Sequence, residues 1–84
     1  MRVYTVESDP AVVEQAAALP GEVLNVYLEM RALLEVSPWC GVSANPGNPK
    51  ANLLNLTFGR YGLIVYVVLE ELRVVYIVRL MWAG

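Results

Sequence analysis

Four basic residues are the clearest candidates for binding or catalysis in this 84-residue sequence: Lys50, Arg60, Arg73 and Arg79. Guanidinium groups bind phosphates through two parallel hydrogen bonds and can stabilise the charge that develops on a reacting phosphodiester. If the sheet predicted below is concave opposite its helices, these four residues could ring one surface and act there as phosphate-binding or charge-stabilising groups. The alternative is that they are solvated strand and turn residues that protect the edges of an apolar sheet.

Composition excludes several other kinds of chemistry. The sequence has no histidine and one cysteine, Cys40, so an intramolecular disulfide and a His/Cys metal cluster are both excluded. The glycines match no phosphate-binding or dinucleotide-binding pattern. We therefore expect no metal and no cofactor. A cysteine next to Trp39 is more typical of a small packed side chain than of a nucleophile.

The charge distribution is uneven along the chain. The net charge is -2 and the isoelectric point about 4.9, which argues against non-specific binding of nucleic acid. Residues 1–37 hold two basic and six acidic residues, a balance of -4, whereas residues 38–84 hold four basic and two acidic residues, a balance of +2. The candidate basic residues therefore belong to a different part of the fold from most of the carboxylates.

The first half of the sequence predicts a strand and two helices. The segment RVYTV is rich in β-branched and aromatic residues, and Ser8-Asp9-Pro10 is a strong helix start. The first helix is predicted over residues 10–19, where Leu19-Pro20-Gly21 ends it. Apolar residues recur at three and four over residues 22–36 and predict a second, amphipathic helix that packs back against the sheet.

The second half predicts a loop and three strands. Residues 37–51 hold three of the five prolines and form a long loop of a kind that is often functional or mobile. The strands are predicted in NLLNLTF, LIVYVVL and RVVYIVRLMW, joined by a GRYG turn and a hairpin tip at Glu70-Glu71. The middle strand is apolar at every position and is therefore expected to be covered on both faces. Simple alternation puts Arg73 and Arg79 on one face of the last strand.

These elements predict one α+β domain over residues 1–84, with the order β-α-α-β-β-β and a helical hairpin on one face of an antiparallel sheet. The longest run without a charged or strongly polar residue, Tyr61 to Leu69, is far shorter than the roughly 20 residues that a membrane helix needs. The N-terminus has no secretory signal, so we expect a cytoplasmic protein. The hydrophobic fraction of 57% indicates either a dense core or a surface that meets a partner.

The segments YTVESDPAVVEQAAALP, LLEVSPWCG and NLLNLTFGRYGLIVYVVLEELRVVYIVRLMW, in this order, resemble the RelE/ParE superfamily of bacterial toxins from type II toxin-antitoxin systems. The resemblance covers nearly the whole chain. It includes the helix start at Asp9-Pro10, the Leu-Pro helical hairpin, and a glycine turn that leads into a strand with Ile64, Tyr66 and Val68.

The resemblance implies a RelE-like fold, a cognate antitoxin as partner, and one of two activities. RelE-type members enter the ribosome and cleave mRNA with basic residues as an endoribonuclease, or mRNA interferase, which inhibits translation. For this activity the resemblance implies Arg60, Arg73 and Arg79 as catalytic residues and Lys50 as an RNA-binding residue. The alternative is a non-catalytic protein-binding module, either a ParE-type inhibitor of DNA gyrase or a degenerate toxin. Net acidity and a sequence that ends at Trp82-Ala83-Gly84 without the basic or aromatic tail of active members favour the alternative. The apolar sheet edges are consistent with a homodimer.

Overall fold

A computed structural model describes residues 3–48 and 50–84 of the chain. The elements, in chain order, are β1 (Thr5–Ser8), α1 (Pro10–Ala17), α2 (Gly21–Val36), β2 (Val42–Ser43), β3 (Leu53–Phe58), β4 (Gly62–Leu69) and β5 (Val74–Trp82). A single 3₁₀ turn, Glu70–Leu72, joins β4 to β5 and confirms the predicted hairpin tip. The predicted strand RVYTV begins at Arg2, which lies outside the described residues.

The strands form one sheet in the order β1-β5-β4-β3-β2. This confirms the α+β fold class, the C-terminal meander and the helical hairpin. Two details differ from the expectation. The short strand β2, within the predicted loop, pairs with β3, and β1 runs parallel to β5 rather than antiparallel. The direction of β1 depends on how the two helices return the chain to the sheet, which the sequence of β1 itself does not encode.

The start of α1 follows directly from its sequence. The Asp9 carboxylate accepts a hydrogen bond of 3.0 Å from the backbone nitrogen of Ala11, and Pro10 is the first helical residue. Together they satisfy an amide that has no partner inside the helix and fix the entry angle of the chain. The helix is thereby anchored at the end of β1, where the backbone nitrogen of Asp9 also donates to the carbonyl of Ile77 on β5.

The core lies between the helices and one face of the sheet. Its fully buried side chains include Leu34 of α2 and Ile64, Tyr66 and Ile77 of the sheet. Tyr27 of α2 completes this layer with an edge-to-face contact to the Phe58 ring, with ring centroids 5.6 Å apart.

The expectation that β4 is covered on both faces is wrong. The side chains of Leu63, Val65 and Val67, which alternate with the buried ones, are only half-buried because α1 and α2 both pack on the other face. Within the described part of the chain, no helix is long and apolar enough to cross a membrane.

The outer edge of β1 is protected by α2. The Arg31 guanidinium donates a hydrogen bond of 2.8 Å to the carbonyl of Val6, and the backbone nitrogen of Tyr4 donates to the carbonyl of Glu35. These contacts occupy backbone groups that could otherwise pair with another strand. The only arginine of the helical layer is therefore used to hold that layer against the sheet.

Candidate binding face

The half-buried face of the sheet has an arginine near its centre. We call this surface the open face and define it by six outward-facing residues of β4 and β5: Leu63, Val65, Val67, Tyr76, Arg79 and Met81. The register pairs Arg79 with Val65, and pairs Met81 with Leu63 on the same face. Arg79 is exposed and has no hydrogen-bond or ion-pair partner among the described residues. On these two strands the open face thus presents one cation among apolar side chains and Tyr76.

A β-bulge is the reason that Arg79 lies on this face. The pairing shifts between Val65, which faces Arg79, and Tyr66, which faces Ile77, so Val78 is an extra residue in β5. Val75 and Ile77 are fully buried and Leu80 is nearly so, whereas Arg79 is exposed. Without the bulge, alternation would direct Arg79 into the core together with Ile77.

Arg73 does not share this face, which corrects the prediction from simple alternation. It precedes β5 in a left-handed conformation with φ of 55°. Its Nη1 atom lies 3.0 Å from Oε2 of Glu70 and donates to the Tyr4 hydroxyl at 3.0 Å. The guanidinium carbon also lies 5.4 Å from the centre of the Tyr4 ring. Arg73 therefore connects the hairpin tip to the N-terminal segment.

Glu70 is the centre of this cluster. The Tyr4 hydroxyl donates to its carboxylate at 2.7 Å, and the Trp39 indole nitrogen donates at 2.9 Å. The 37–51 loop, the hairpin tip and the segment before β1 are thus joined by one carboxylate. Trp39 and the exposed Leu72 also line an adjacent cavity of about 360 Å³. The sequence indicates the turn at Glu70 but not the partners of its carboxylate, because they are distant in the chain.

The other two predicted site residues lie at opposite ends of the sheet. Arg60 is exposed in the turn between β3 and β4, beside Gly59, whose φ of 59° allows the tight reversal. Lys50 is exposed just before β3, at the end of the sheet where Leu53 pairs with Val67. Eight residues of β4 separate these ends by about 23 Å. The structure therefore does not bring Lys50, Arg60, Arg73 and Arg79 together on one surface, and their catalytic and RNA-binding roles stay predictions.

Two tyrosines are linked to polar groups around the sheet. Tyr66 is buried in the core, and its hydroxyl accepts a hydrogen bond of 3.0 Å from the backbone nitrogen of Gly41. Burial raises the pKa of Tyr66 to about 12, because the apolar core disfavours the phenolate. On the open face, desolvation and the nearby carboxylate of Asp9 raise the pKa of Tyr76, whose hydroxyl donates to Asp9 at 3.2 Å.

Cys40 is exposed, contrary to the expectation of a packed side chain. Among the described residues, no group of three or more histidine, cysteine, aspartate and glutamate side chains could hold a metal ion. The arrangement can therefore bind an anion at Arg79, but it does not assemble several charged groups around one reacting atom.

Comparison with solved structures identifies the fold. The chain is similar to a RelBE toxin-antitoxin complex from Mycobacterium tuberculosis, with 20% identity and a TM-score of 0.78, covering 99% of this chain and 94% of the other. It is also similar to the intact RelBE complex of E. coli, with 17% identity and a TM-score of 0.79, covering 96% and 98%. The archaeal RelE-RelB complex from Pyrococcus horikoshii matches with 22% identity and a TM-score of 0.70, covering 98% and 97%.

The sequence matches no protein-family model and no curated protein. The similarity therefore lies in the fold, and it extends over nearly the full length of this chain and of each chain with which it was compared. The protein has the fold of the RelE toxins, as the resemblance implied.

Proposed function

We propose that this protein is the toxin component of a type II toxin-antitoxin pair and that a cognate antitoxin protein is its partner. The observation that carries the proposal is the end-to-end match of its fold to RelE proteins solved in complex with their antitoxins. The open face supports it, because a partly exposed, largely apolar sheet surface is typical of a site that a protein partner covers.

Cleavage of mRNA on the ribosome is a second candidate, and Arg79 favours it. The bulge in β5 directs this guanidinium outward, and bulges often re-aim a side chain next to a functional site. A guanidinium at this position suits a phosphate of the RNA backbone. The proposed site would consist of Arg79 with assistance from Arg60 or Lys50 at the ends of the sheet, whereas Arg73 is already engaged by Glu70.

The test is to induce the protein alone in a bacterial host and to record growth, mRNA ends and plasmid supercoiling in the same cultures. We expect growth arrest that is relieved when the product of a neighbouring antitoxin-like gene is expressed as well. Arrest with new cuts at a fixed position within codons identifies ribosome-dependent cleavage of mRNA. Arrest with altered supercoiling and intact mRNA identifies inhibition of gyrase.

A control separates toxicity from simple overproduction of an apolar protein. Ile64→Asp places a charge in the core and abolishes folding, so a culture that makes the same amount of this variant should grow normally. Normal growth with the soluble, folded wild-type protein would contradict the toxin proposal. The protein would then be better described as a non-toxic binding module with the same fold.

A further inference from the structure

We propose that the open face binds an apolar protein segment that carries one aspartate or glutamate opposite Arg79. This inference rests on the proposed function, since it specifies the chemistry of the partner segment at one site. The commitment is to a carboxylate of a protein rather than to a phosphate of RNA.

Arg79 itself requires an acceptor from any partner that covers it. Its guanidinium is exposed and has no described partner, and its cross-strand neighbour Val65 offers no acceptor. A partner that covered this face with apolar atoms alone would desolvate the guanidinium and leave its donors unsatisfied. A carboxylate opposite Arg79 accepts two parallel hydrogen bonds and removes that cost.

Arg73 and Arg79 differ in their partners. Arg73 precedes the last strand, where its guanidinium pairs with Glu70 and donates a hydrogen bond to Tyr4. Arg79 lies within that strand. Nothing comparable approaches Arg79 from the described residues. The bulge that turns Arg79 outward interrupts the regular pairing of β4 with β5. An arginine that served only to keep the surface soluble would not require this interruption.

The rest of the open face is uncharged. On β4 and β5, Leu63, Val65, Val67 and Met81 border Arg79 with apolar surface, and on β3 the uncharged Asn55 and Thr57 pair with Val65 and Leu63. No second cation lies among these residues. Nucleic-acid sites use several cations along the backbone and exposed aromatic rings for stacking. The single aromatic residue of the open face, Tyr76, donates a hydrogen bond to Asp9 and pairs with Glu7 of β1. These two carboxylates disfavour a polyanion such as RNA more strongly than a segment with a single carboxylate placed at Arg79. One arginine on a largely apolar surface is complementary to a partner segment that is apolar and carries one carboxylate.

The test uses a library of random peptides displayed on phage and selected against the folded protein. Three targets are compared: the wild type, Arg79→Asp, and Glu29→Lys. The last variant reverses an exposed charge on α2, on the opposite side of the molecule. Thermal unfolding of each target establishes that it is folded before selection.

We expect the wild type and Glu29→Lys to select apolar peptides with a central aspartate or glutamate, and Arg79→Asp to select lysine or arginine at that position. A synthetic consensus peptide should bind the wild type about tenfold more tightly than its amide counterpart with asparagine or glutamine. Replacing Arg79 by glutamine should abolish that preference. NMR shifts of the selected peptide complex should map to the methyl groups of Val65 and Met81.

Identical charge preferences for all three targets would overturn the inference. So would Arg79-dependent binding of a fluorescent single-stranded RNA when no acidic preference appears in the peptides. The growth experiment is independent of this selection. If the protein arrests growth but selects no acidic peptides, the proposed function stands and this inference fails. If it selects acidic peptides but does not arrest growth, this inference stands and the proposed function fails.

Discussion

The two faces of the sheet differ in what their residues do. On the helix-covered face, Ile64 and Tyr66 are fully buried, and in the described part of the chain every buried side-chain nitrogen and oxygen has a hydrogen-bond partner, as in the Tyr66–Gly41 hydrogen bond. On the open face, Val65 and its neighbours are half-buried and Arg79 has no described partner. Stability is therefore concentrated on one side of β4, and the capacity to bind another molecule is concentrated on the other.

Truncation of β4 should show the largest contrast. Ile64→Ala removes a fully buried side chain and should lower the free energy of unfolding by about 2–5 kcal/mol. Val65→Ala is the control on the adjacent, half-buried position and should cost about 1 kcal/mol or less. Urea unfolding followed by circular dichroism measures both. Equal losses of unfolding free energy would mean that Val65 is packed as tightly as Ile64, which would contradict the difference between the two faces.

The buried tyrosine should make the protein sensitive to alkali. Since the pKa of Tyr66 is raised from 10.0 to about 12, the folded state keeps a proton that the unfolded chain loses at lower pH. Its contribution to stability is therefore complete below pH 10 and declines as the pH rises towards 12, by about 2 kcal/mol. Tyr66→Phe should remove most of this decline.

At neutral pH, Tyr66→Phe should cost about 1 kcal/mol, because the amide of Gly41 loses its acceptor. The control is Tyr61→Phe at the exposed turn, which should keep the alkaline decline. Unfolding free energies measured between pH 8 and pH 12 compare the three proteins. A decline in Tyr66→Phe as steep as in the wild type would refute the assignment to Tyr66.

The Glu70 cluster should contribute less than the core. Glu70→Gln removes the ion pair with Arg73, but Glu70 is 46% exposed and solvent screens the charge, so we expect a loss of about 0.5–1 kcal/mol. Glu71→Gln changes the neighbouring, exposed turn residue and should have almost no effect. Thermal unfolding measures the difference, which should shrink in high salt. A loss that salt does not change would indicate that the hydrogen bonds alone matter.

Arg79 should have the smallest effect on stability. Because it has no described partner, Arg79→Gln should change the free energy of unfolding by no more than about 0.5 kcal/mol in either direction. The measurement is urea unfolding beside the wild type. A destabilisation above 1.5 kcal/mol would mean that Arg79 is part of the packed structure and not of a binding face.

The sequence predicted most of the fold because its local signals agree with each other. The Asp9-Pro10 cap, the Leu19-Pro20-Gly21 break and the Gly59 turn all lie where the chain reverses or changes element. The helices were located to within two residues at each end. The short strand β2 was missed because two residues carry no periodicity, and its pairing to β3 depends on the tertiary structure.

The candidate site was less predictable. Four basic residues were expected on one surface, but of the four only Arg79 lies in a strand of the open face. Lys50 and Arg60 lie at opposite ends of the sheet, and Arg73 is held by Glu70 and Tyr4. The decisive feature is the bulge at Val78, which reverses the side on which Arg79 lies. A signal was present, since strict alternation would have buried the Arg79 charge with Ile77. The role of Glu70 as the acceptor for Tyr4, Trp39 and Arg73 depends on contacts between distant segments, which spacing cannot reveal.

The most direct test is relief of growth arrest by the co-expressed product of the neighbouring antitoxin-like gene, measured for the wild type, Arg79→Gln and the control Glu29→Gln at equal amounts of soluble protein. We predict that Arg79→Gln keeps the wild-type unfolding temperature and arrests growth but is relieved less than the wild type, because the partner's carboxylate has lost its guanidinium. Glu29→Gln, on the helical side, should be relieved like the wild type. Relief of Arg79→Gln that equals the wild type would contradict the claim that the open face binds the partner through Arg79.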